Sequence, residues 1–195
     1  FGCHRGLVQF RSARMSGILT LNAGSSSLKF GLYEQADDPS LLVHGQIDGI
    51  GQNAQLILHH SATTVRDQIR AETQHDALQS VMKALAPHMR GIHIAGVGHR
   101  VVHGGPDFAA PVVLTPEIQR ALAEFSPLAP LHQPHNLAGV TAAHDIFPDA
   151  IQVACFDTAF HRGHPWVNDA FAIPNALYDE GIRRYGFHGL SYDYV

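Results

Sequence analysis

Residues 22–29 offer the groups of a phosphate-binding turn. They read Asn-Ala-Gly-Ser-Ser-Ser-Leu-Lys, so an amide, three hydroxyls and the backbone N–H groups of a tight turn can converge on oxygen atoms without bulky side chains between them. Lys29 stands out because Lys83 is the only other lysine of the chain. The Walker A signature is absent, and a strand rather than a helix is expected to follow. A serine-rich hairpin tip without a ligand is the alternative interpretation.

An arginine inside an apolar strand is the second feature. Arg100 lies in residues 98–105, which read Gly-His-Arg-Val-Val-His-Gly-Gly. A guanidinium in such a strand is costly unless it meets an anion, and its planar fork suits a carboxylate or a phosphate. The paired glycines allow a ligand or another backbone to come close. A structural ion pair between Arg100 and an internal acid is equally compatible with the spacing.

A histidine follows in a proline-rich segment. His132 lies among three prolines that limit the backbone, and an imidazole held in one orientation can meet charge that develops on a transferring phosphoryl group. An ordinary loop histidine is the alternative. The prolines are Pro127, Pro130 and Pro134.

Two further groups lie near the end of the chain. Asp157 follows the alternating Ile151, Val153 and Cys155 and is expected at the carboxyl end of a strand, where ligand-binding groups of α/β sheets gather. His188 lies in a glycine-flanked turn over residues 185–189.

The composition narrows the function classes. Hydrophobic residues make up 45% and charged residues 15% of the 195 residues, which predicts a globular protein with a sizeable core. The formal net charge of −4 provides no basic surface for nucleic acid. No apolar run reaches the roughly 20 residues of a membrane-spanning helix. Cys3 and Cys155 cannot build a disulfide framework, so a cytoplasmic location is expected.

The 15 histidines leave a metal protein as an alternative. Pairs such as His132 and His135, or His161 and His164, have a metal-ligand spacing, but the H-E-x-x-H motif is absent and the cysteines lack the partners that zinc usually takes.

The periodicity of the chain predicts how these groups are positioned. Alternating apolar residues indicate strands and i, i+3, i+4 spacing indicates helices. Thr73 and Thr115 are the expected N-caps of the first two helices. The order β-β-β-α-β-α-β predicts an α/β fold, with a mixed sheet flanked by helices. Strands are expected over 17–21, 28–33, 41–47, 54–59, 92–102 and 151–155, and helices over 74–85, 116–125 and 136–147.

Taken together, residues 22–29 and 98–105 resemble the two signatures of the acetate kinase family, in the superfamily of acetate and sugar kinases, Hsp70 and actin. The similarity runs from about Ile18 to Val195. It implies a ribonuclease H-like, mixed five-stranded sheet with its first three strands antiparallel, the N-terminal half of an actin-like fold. Residues 15–195 would be this domain, and residues 1–14 a leader, a tag or a misassigned start.

The resemblance also implies roles for individual residues. The parent enzyme would move the γ-phosphoryl group of ATP to acetate, reversibly giving acetyl phosphate and ADP, with Mg²⁺ or Mn²⁺. Asn22 and Asp157 would lie near the metal, and Arg100, His132, Asp157 and His188 would be catalytic. The serine turn would bind phosphate through Ser25, Ser27 and Lys29, and the substrate would meet Arg100 and an apolar pocket of Val102, Leu131 and Phe187.

Some positions depart from the family pattern. Gln133 replaces an asparagine, and Leu190 and Tyr192 replace a threonine and a histidine. Family members also continue for about as many residues again, so we expect the isolated chain to be an inactive fragment. The resemblance also implies that the parent protein is a homodimer. Propionate or butyrate kinase, and a truncated non-catalytic protein that binds a carboxylate or phosphate, are the alternatives.

Overall fold

Residues 15–195 are described by a computed structural model, and the prediction for residues 1–14 lies outside this range. Eight strands in the described part of the chain form one mixed sheet in the order β5-β4-β3-β2-β1-β6-β8-β7. The strands are β1 (Met15–Ala23), β2 (Ser27–Glu34), β3 (Leu41–Asp48), β4 (Gln55–His60), β5 (Thr63–Gln68), β6 (Ile92–Val101), β7 (Val112–Val113) and β8 (Ile151–Phe156).

The centre of the sheet has the predicted arrangement. Strands β1, β2 and β3 are antiparallel neighbours, β6 runs parallel to β1, and β8 runs parallel to β6. The mixed α/β fold is therefore confirmed, with a larger sheet than the five strands expected.

The two strands that the periodicity did not predict, β5 and β7, lie at the two edges of the sheet. Strand β4 matches the predicted segment 54–59 and pairs with β5. Every residue of β5 is exposed, so its sequence carries no alternation of buried and exposed positions. Strand β7 has two residues and adds an antiparallel edge to β8. Neither edge strand buries enough apolar surface to leave a periodic signal in the sequence.

Six helices accompany the sheet in the described range, and the caps of the first two follow from their sequences. Thr73 Oγ1 accepts the Asp76 N–H at 3.1 Å, and the Asp76 carboxylate accepts the Thr73 N–H at 3.0 Å, which completes a capping box. Thr115 accepts the N–H of Ile118. The helices are α1 (Gln74–Leu85), α2 (Pro116–Glu124), α3 (Gln133–Ile146), α4 (Trp166–Asp169), α5 (Asn175–Asp179) and α6 (Gly189–Tyr194).

Helix α3 begins three residues before the predicted start at Asn136. Its first turn includes Pro134, which is tolerated there because the first N–H groups of a helix have no intrahelical partner. The prolines therefore do not keep the whole segment irregular. His132 becomes the N-cap residue of α3 and has no side-chain capping bond.

The core lies mainly between one face of the sheet and helices α1 and α3. Buried residues of the central strands, including Leu19, Leu32 and Ile47, form one apolar cluster with Leu78 and Val81 of α1. A smaller cluster surrounds Val101, Leu122, Ala154 and Phe156. Burial of these side chains stabilises the sheet by about 25 cal/mol per Å² of apolar surface.

The central strands present their carboxyl ends at one edge of the sheet. Because β1, β6 and β8 run in the same direction, Asn22, Arg100 and Asp157 reach that edge from three different parts of the chain. Within residues 15–195, no helix is both long enough and apolar enough to cross a membrane.

Candidate functional site

A cavity of about 500 Å³ opens at the carboxyl ends of β1, β6 and β8. Most of the residues singled out in the sequence line it, although they come from five separate segments of the chain. The predicted residues at the cavity are Asn22, Ser27, Lys29, Arg100, Val102, His132, Asp157, Phe187 and His188.

The serine turn connects β1 to β2, and its backbone is tied to the protein. The Gly24 N–H donates to the Ser27 carbonyl at 2.8 Å, and the Ser26 carbonyl accepts the Ile50 N–H at 3.0 Å. Gln74 Nε2 donates to the carbonyls of Gly24 at 2.6 Å and Ser27 at 3.3 Å. These hydrogen bonds fix the path of the turn, and its hydroxyls and Lys29 are side-chain donors that can meet an oxyanion.

Gln74 was not singled out in the sequence. It is the first residue of α1, 93% of it is buried, and its Oε1 has no hydrogen-bond partner among residues 15–195. A glutamine at a helix start carries no local signal for a contact with a turn 50 positions away.

Ser25 is exposed and is not among the residues at the cavity wall. Its proposed contact with phosphate stays a prediction.

Arg100 forms a bidentate ion pair with Asp157. Arg100 Nη2 lies 2.6 Å from Asp157 Oδ2, and Nε lies 3.0 Å from both carboxylate oxygens. The hydrogen bonding of Arg100 to the Asp157 carboxylate is the main cause of a raised Arg100 pKa, so the guanidinium stays cationic.

The same ion pair leaves part of Arg100 available. The Asp157 side chain is 2% exposed, whereas the Arg100 side chain is 38% exposed. Asp157 binds the Nε and Nη2 edge, so the Nη1 group is the part of the fork that Asp157 does not bind. The internal ion pair, one of the two alternatives in the sequence, therefore leaves one edge of the guanidinium available for an anion.

Helix α3 brings His132 to the cavity and attaches its own first turn to β6. The Gln133 side chain is fully buried. Its Oε1 accepts the His103 N–H at 3.2 Å, and its Nε2 donates to the carbonyls of His103 and Leu122 at 3.0 and 2.9 Å. The departure from the family pattern at Gln133 thus supplies three hydrogen bonds behind the cavity wall.

The apolar part of the cavity differs from the prediction at one position. Val102 and Phe187 line it, but Leu131 is 74% exposed and lies outside the wall. The turn in which the His132 N–H donates to the Ala129 carbonyl at 3.0 Å leaves Leu131 on the outside. Leu128 and Ala129 line the cavity instead. A role of Leu131 in the substrate pocket has no support from this placement.

The loop that carries Phe187 and His188 is held in place by a contact with the backbone of Asp157. The His188 backbone is left-handed, with φ 59°, a conformation that residues other than glycine rarely adopt. The Gly189 N–H donates to the Asp157 carbonyl at 2.8 Å, and a Cβ at Gly189 would lie 2.4 Å from that oxygen. Glycine is therefore required where this loop meets Asp157.

Two further histidines support this loop. His161 Nε2 lies 3.0 Å from the Phe187 carbonyl oxygen. The buried His103 accepts the Gly105 N–H at Nδ1, at 2.9 Å, and its ring meets the Tyr185 ring edge-on at 4.4 Å. Burial, helped by the positive charge of Arg162, lowers the pKa of His103, so it supports the loop as a neutral ring.

The oxygen-bearing side chains at the cavity fit a magnesium ion whose other ligands would come largely from a substrate. Mg²⁺ prefers oxygen ligands, keeps several waters and takes one or two carboxylates together with phosphates. Asn22 and Asp157 provide an amide and a carboxylate at the cavity wall. Within the described residues, no group of three or more histidine, cysteine, aspartate or glutamate side chains could hold a metal ion by itself.

The sequence comparisons agree with one another. The profile of the Acetokinase family matches residues 17–195. The acetate kinase of Methylocella silvestris is 42% identical over 192 residues, covering 91% of this chain and 47% of the relative. The acetate kinase of Rhizobium meliloti is 45% identical over 190 residues, covering 93% and 47%.

Solved structures of an acetate kinase and of a propionate kinase share the fold of this chain. The acetate kinase of Porphyromonas gingivalis superposes with a TM-score of 0.83 at 36% identity, covering 91% of this chain and 46% of that one. A propionate kinase from Francisella tularensis gives 0.83 at 34% identity, covering 92% and 47%. The chain spans about half the length of the relatives it matches.

Proposed function

Since the chain belongs to the acetokinase family, we propose that its parent protein transfers the γ-phosphoryl group of ATP to the carboxylate of acetate, reversibly forming acetyl phosphate and ADP. The observation that carries the proposal is the convergence of Asn22, Lys29, Arg100, His132 and His188 on one cavity. Four of these five side chains are donors that can carry positive charge, as a reaction between two anions requires.

Arg100 would bring the reacting groups together. Its Nε and Nη2 groups are held by the buried Asp157, so the remaining edge keeps one direction toward the cavity. That edge can bind the carboxylate of the acceptor and then an oxygen of the transferring phosphoryl group. Such positioning replaces a bimolecular encounter with a prearranged one.

Lys29, His132 and His188 would stabilise the charge on the transferring group. Phosphoryl transfer asks little covalent chemistry of the protein, because charge spreads over three equatorial oxygens while attacking and leaving oxygens stay in line. Donors that approach these oxygens from different walls of the cavity can bind them together. Lys29 comes from β2, His132 precedes α3 and His188 precedes α6.

Asn22 and Asp157 would hold Mg²⁺ together with the nucleotide phosphates. When bound, the ion would neutralise charge on the β- and γ-phosphates. The Asp157 carboxylate already accepts hydrogen bonds from Arg100, so it would serve both the ion and the orientation of the arginine.

The apolar wall favours a short acyl chain. Val102, Leu128, Ala129 and Phe187 line the same cavity as Arg100, so the alkyl group of a carboxylate held by the guanidinium would have an apolar surface to contact. Propionate is a second candidate acceptor, because the propionate kinase structure matches this chain as well as an acetate kinase structure does.

The activity is proposed for the parent protein and not for this chain alone. The chain spans about half of its relatives, and nucleotide binding in the parent would need groups outside residues 15–195. A cytoplasmic homodimer remains our expectation for the parent.

A substrate panel on the parent protein tests the function. We expect ATP- and Mg²⁺-dependent formation of acyl phosphate, trapped by hydroxylamine, from acetate and less efficiently from propionate. Failure of purified, folded parent protein to form acyl phosphate from acetate, propionate or butyrate would reject the proposal.

A further inference from the structure

A buried side-chain amide lies where the two central strands separate. The parallel pairing of β1 and β6 ends at Leu21 and His99. Beyond that pair, the chain continues through Asn22 on one side and Arg100 on the other, and both residues line the cavity. The cavity thus begins where the backbone ladder between these strands stops.

Asn136 of α3 bridges the two strands at this point. Its Nδ2 donates to the Ala23 carbonyl at 2.5 Å, and its Oδ1 accepts the Val102 N–H at 2.9 Å. One amide therefore serves a carbonyl that follows Asn22 by one residue and an N–H that follows Arg100 by two. It takes the place that a peptide group of an intervening strand would occupy.

The surroundings hold Asn136 in this position. The residue is 93% buried, and a Cβ at Gly139, one turn further along α3, would lie 2.8 Å from the Ala23 Cβ. Helix α3 therefore rests directly on the end of β1. Gln133, one turn earlier, holds both the N–H and the carbonyl of His103. These contacts fix the position of the first two turns of α3 relative to both β1 and β6.

We propose that Asn136 is a positioning residue that sets the separation and orientation of Asn22 and Arg100 across the cavity. This role rests on the proposed function and deepens it. Asn136 itself lies at the cavity wall, but its Nδ2 and Oδ1 atoms are bonded to the backbone of Ala23 and Val102, so it acts through these two backbone groups. Its loss would let the two strand ends move independently, and a displacement of about 1 Å near a reacting centre can cost a hundredfold in rate.

Three variants of the parent protein test the proposal. Asn136→Ala removes both hydrogen bonds. Asn136→Asp keeps the shape, but its ionised carboxylate cannot donate to the Ala23 carbonyl. Gln152→Ala is the matched control, because Gln152 is also a buried amide of the same core: its Oε1 lies 2.7 Å from His99 Nε2, and its Nε2 donates to the carbonyls of Phe147 and Ala150. Gln152 does not line the cavity.

For Asn136→Ala we expect kcat with acetate to fall about tenfold to a hundredfold. Gln152→Ala should show a comparable loss of melting temperature with kcat within about threefold of wild type, the scatter expected for a change outside the site. Wild-type kcat in folded Asn136→Ala, or an equal loss of kcat in the control, would overturn the proposal.

The Asn136→Asp variant supplies a readout that a merely structural role does not move. A protonated carboxyl group can donate to the Ala23 carbonyl and accept the Val102 N–H, whereas the ionised form cannot donate. Since burial raises the pKa of a carboxyl group, the ratio of variant to wild-type kcat should be highest at the acidic end of the pH range in which both proteins stay folded, and it should fall as the introduced carboxyl ionises. A ratio that stays near one throughout that range would contradict the proposed role even if the alanine variant failed to fold.

The outcome is separable from that of the proposed function. If wild-type parent protein forms no acyl phosphate, the function fails. If wild type is active and the variants behave as the control does, the function stands and the positioning role of Asn136 is rejected.

Discussion

Arg100 and Asp157, separated by 57 positions in the sequence, form three short hydrogen bonds at the mouth of the cavity. The acid is buried and the arginine is partly exposed. Asp157 therefore acts as a fixed counter-charge that aims one edge of the guanidinium at the cavity. Since breaking a buried pair from one side leaves an uncompensated charge, the function and stability of this pair can be separated by experiment.

Replacing Arg100 by alanine in the parent protein should lower kcat by roughly a hundred- to a thousandfold, because the donor that we propose for the transition state is lost. It should also lower the melting temperature, because Asp157 stays buried without its partner. Steady-state kinetics and thermal unfolding measure the two effects.

The double variant Arg100→Ala, Asp157→Asn serves as the control. It removes the unpaired charge, so it should recover most of the stability while kcat stays low. Recovery of kcat in the double variant would contradict the role of Arg100.

Shortening Gln133 to asparagine should destabilise the protein. The shorter side chain cannot reach His103 and Leu122 together, and each buried polar group left unsatisfied costs about 1–3 kcal/mol. Urea unfolding should show this loss. Gln79→Asn, on the exposed face of α1, is the matched control and should change the free energy of unfolding by less than about 0.5 kcal/mol. Equal effects of the two substitutions would show that the hydrogen bonds of Gln133 contribute nothing.

Stability should fall as the solution becomes more acidic than pH 6.5. Burial lowers the pKa of His103 and His99 below the ordinary histidine value of 6.5. The unfolded chain therefore binds more protons than the folded chain in this range, and unfolding is favoured as pH falls. Stability is fully present above the unfolded pKa and is lost progressively below it, by at most about 1.4 kcal/mol per pH unit for each group.

Urea titrations between pH 5 and pH 8 measure this dependence. Replacing His103 by glutamine removes one titrating group, so the slope below pH 6.5 should decrease even though the variant is less stable at neutral pH. An unchanged slope would mean that His103 binds protons equally in the folded and the unfolded chain, and so that its pKa is not lowered by folding.

Acyl-chain selectivity should depend on Val102 and not on Leu131. Val102→Ala enlarges the apolar part of the cavity and should raise kcat/KM for propionate relative to acetate. The expected change is about 1–3 kcal/mol at most, which is what one methylene contributes in an apolar pocket. Leu131 is exposed outside the cavity, so Leu131→Ala should leave the ratio within about twofold, a change under 0.5 kcal/mol. A large change of the ratio in Leu131→Ala would restore Leu131 to the pocket.

Local features of this chain were predictable because they depend on residues a few positions apart. The N-caps of α1 at Thr73 and of α2 at Thr115 formed as expected, as did strands β1 and β2. The edge strand β5 escaped prediction because it buries no residue, and the start of α3 was placed too late because Pro134 fits the first turn of a helix.

The sequence by itself supplied the residue types of the site, through two motifs with few plausible chemistries. Tertiary structure alone decided which of these residues meet, since those contacts depend on the path of the whole chain. It joined Arg100 to Asp157 and placed the Asn136 amide on Ala23, 113 positions away. It also placed Leu128, and not the predicted Leu131, at the cavity wall. A periodic pattern records which face of an element is buried, but it carries no information about which distant element covers that face.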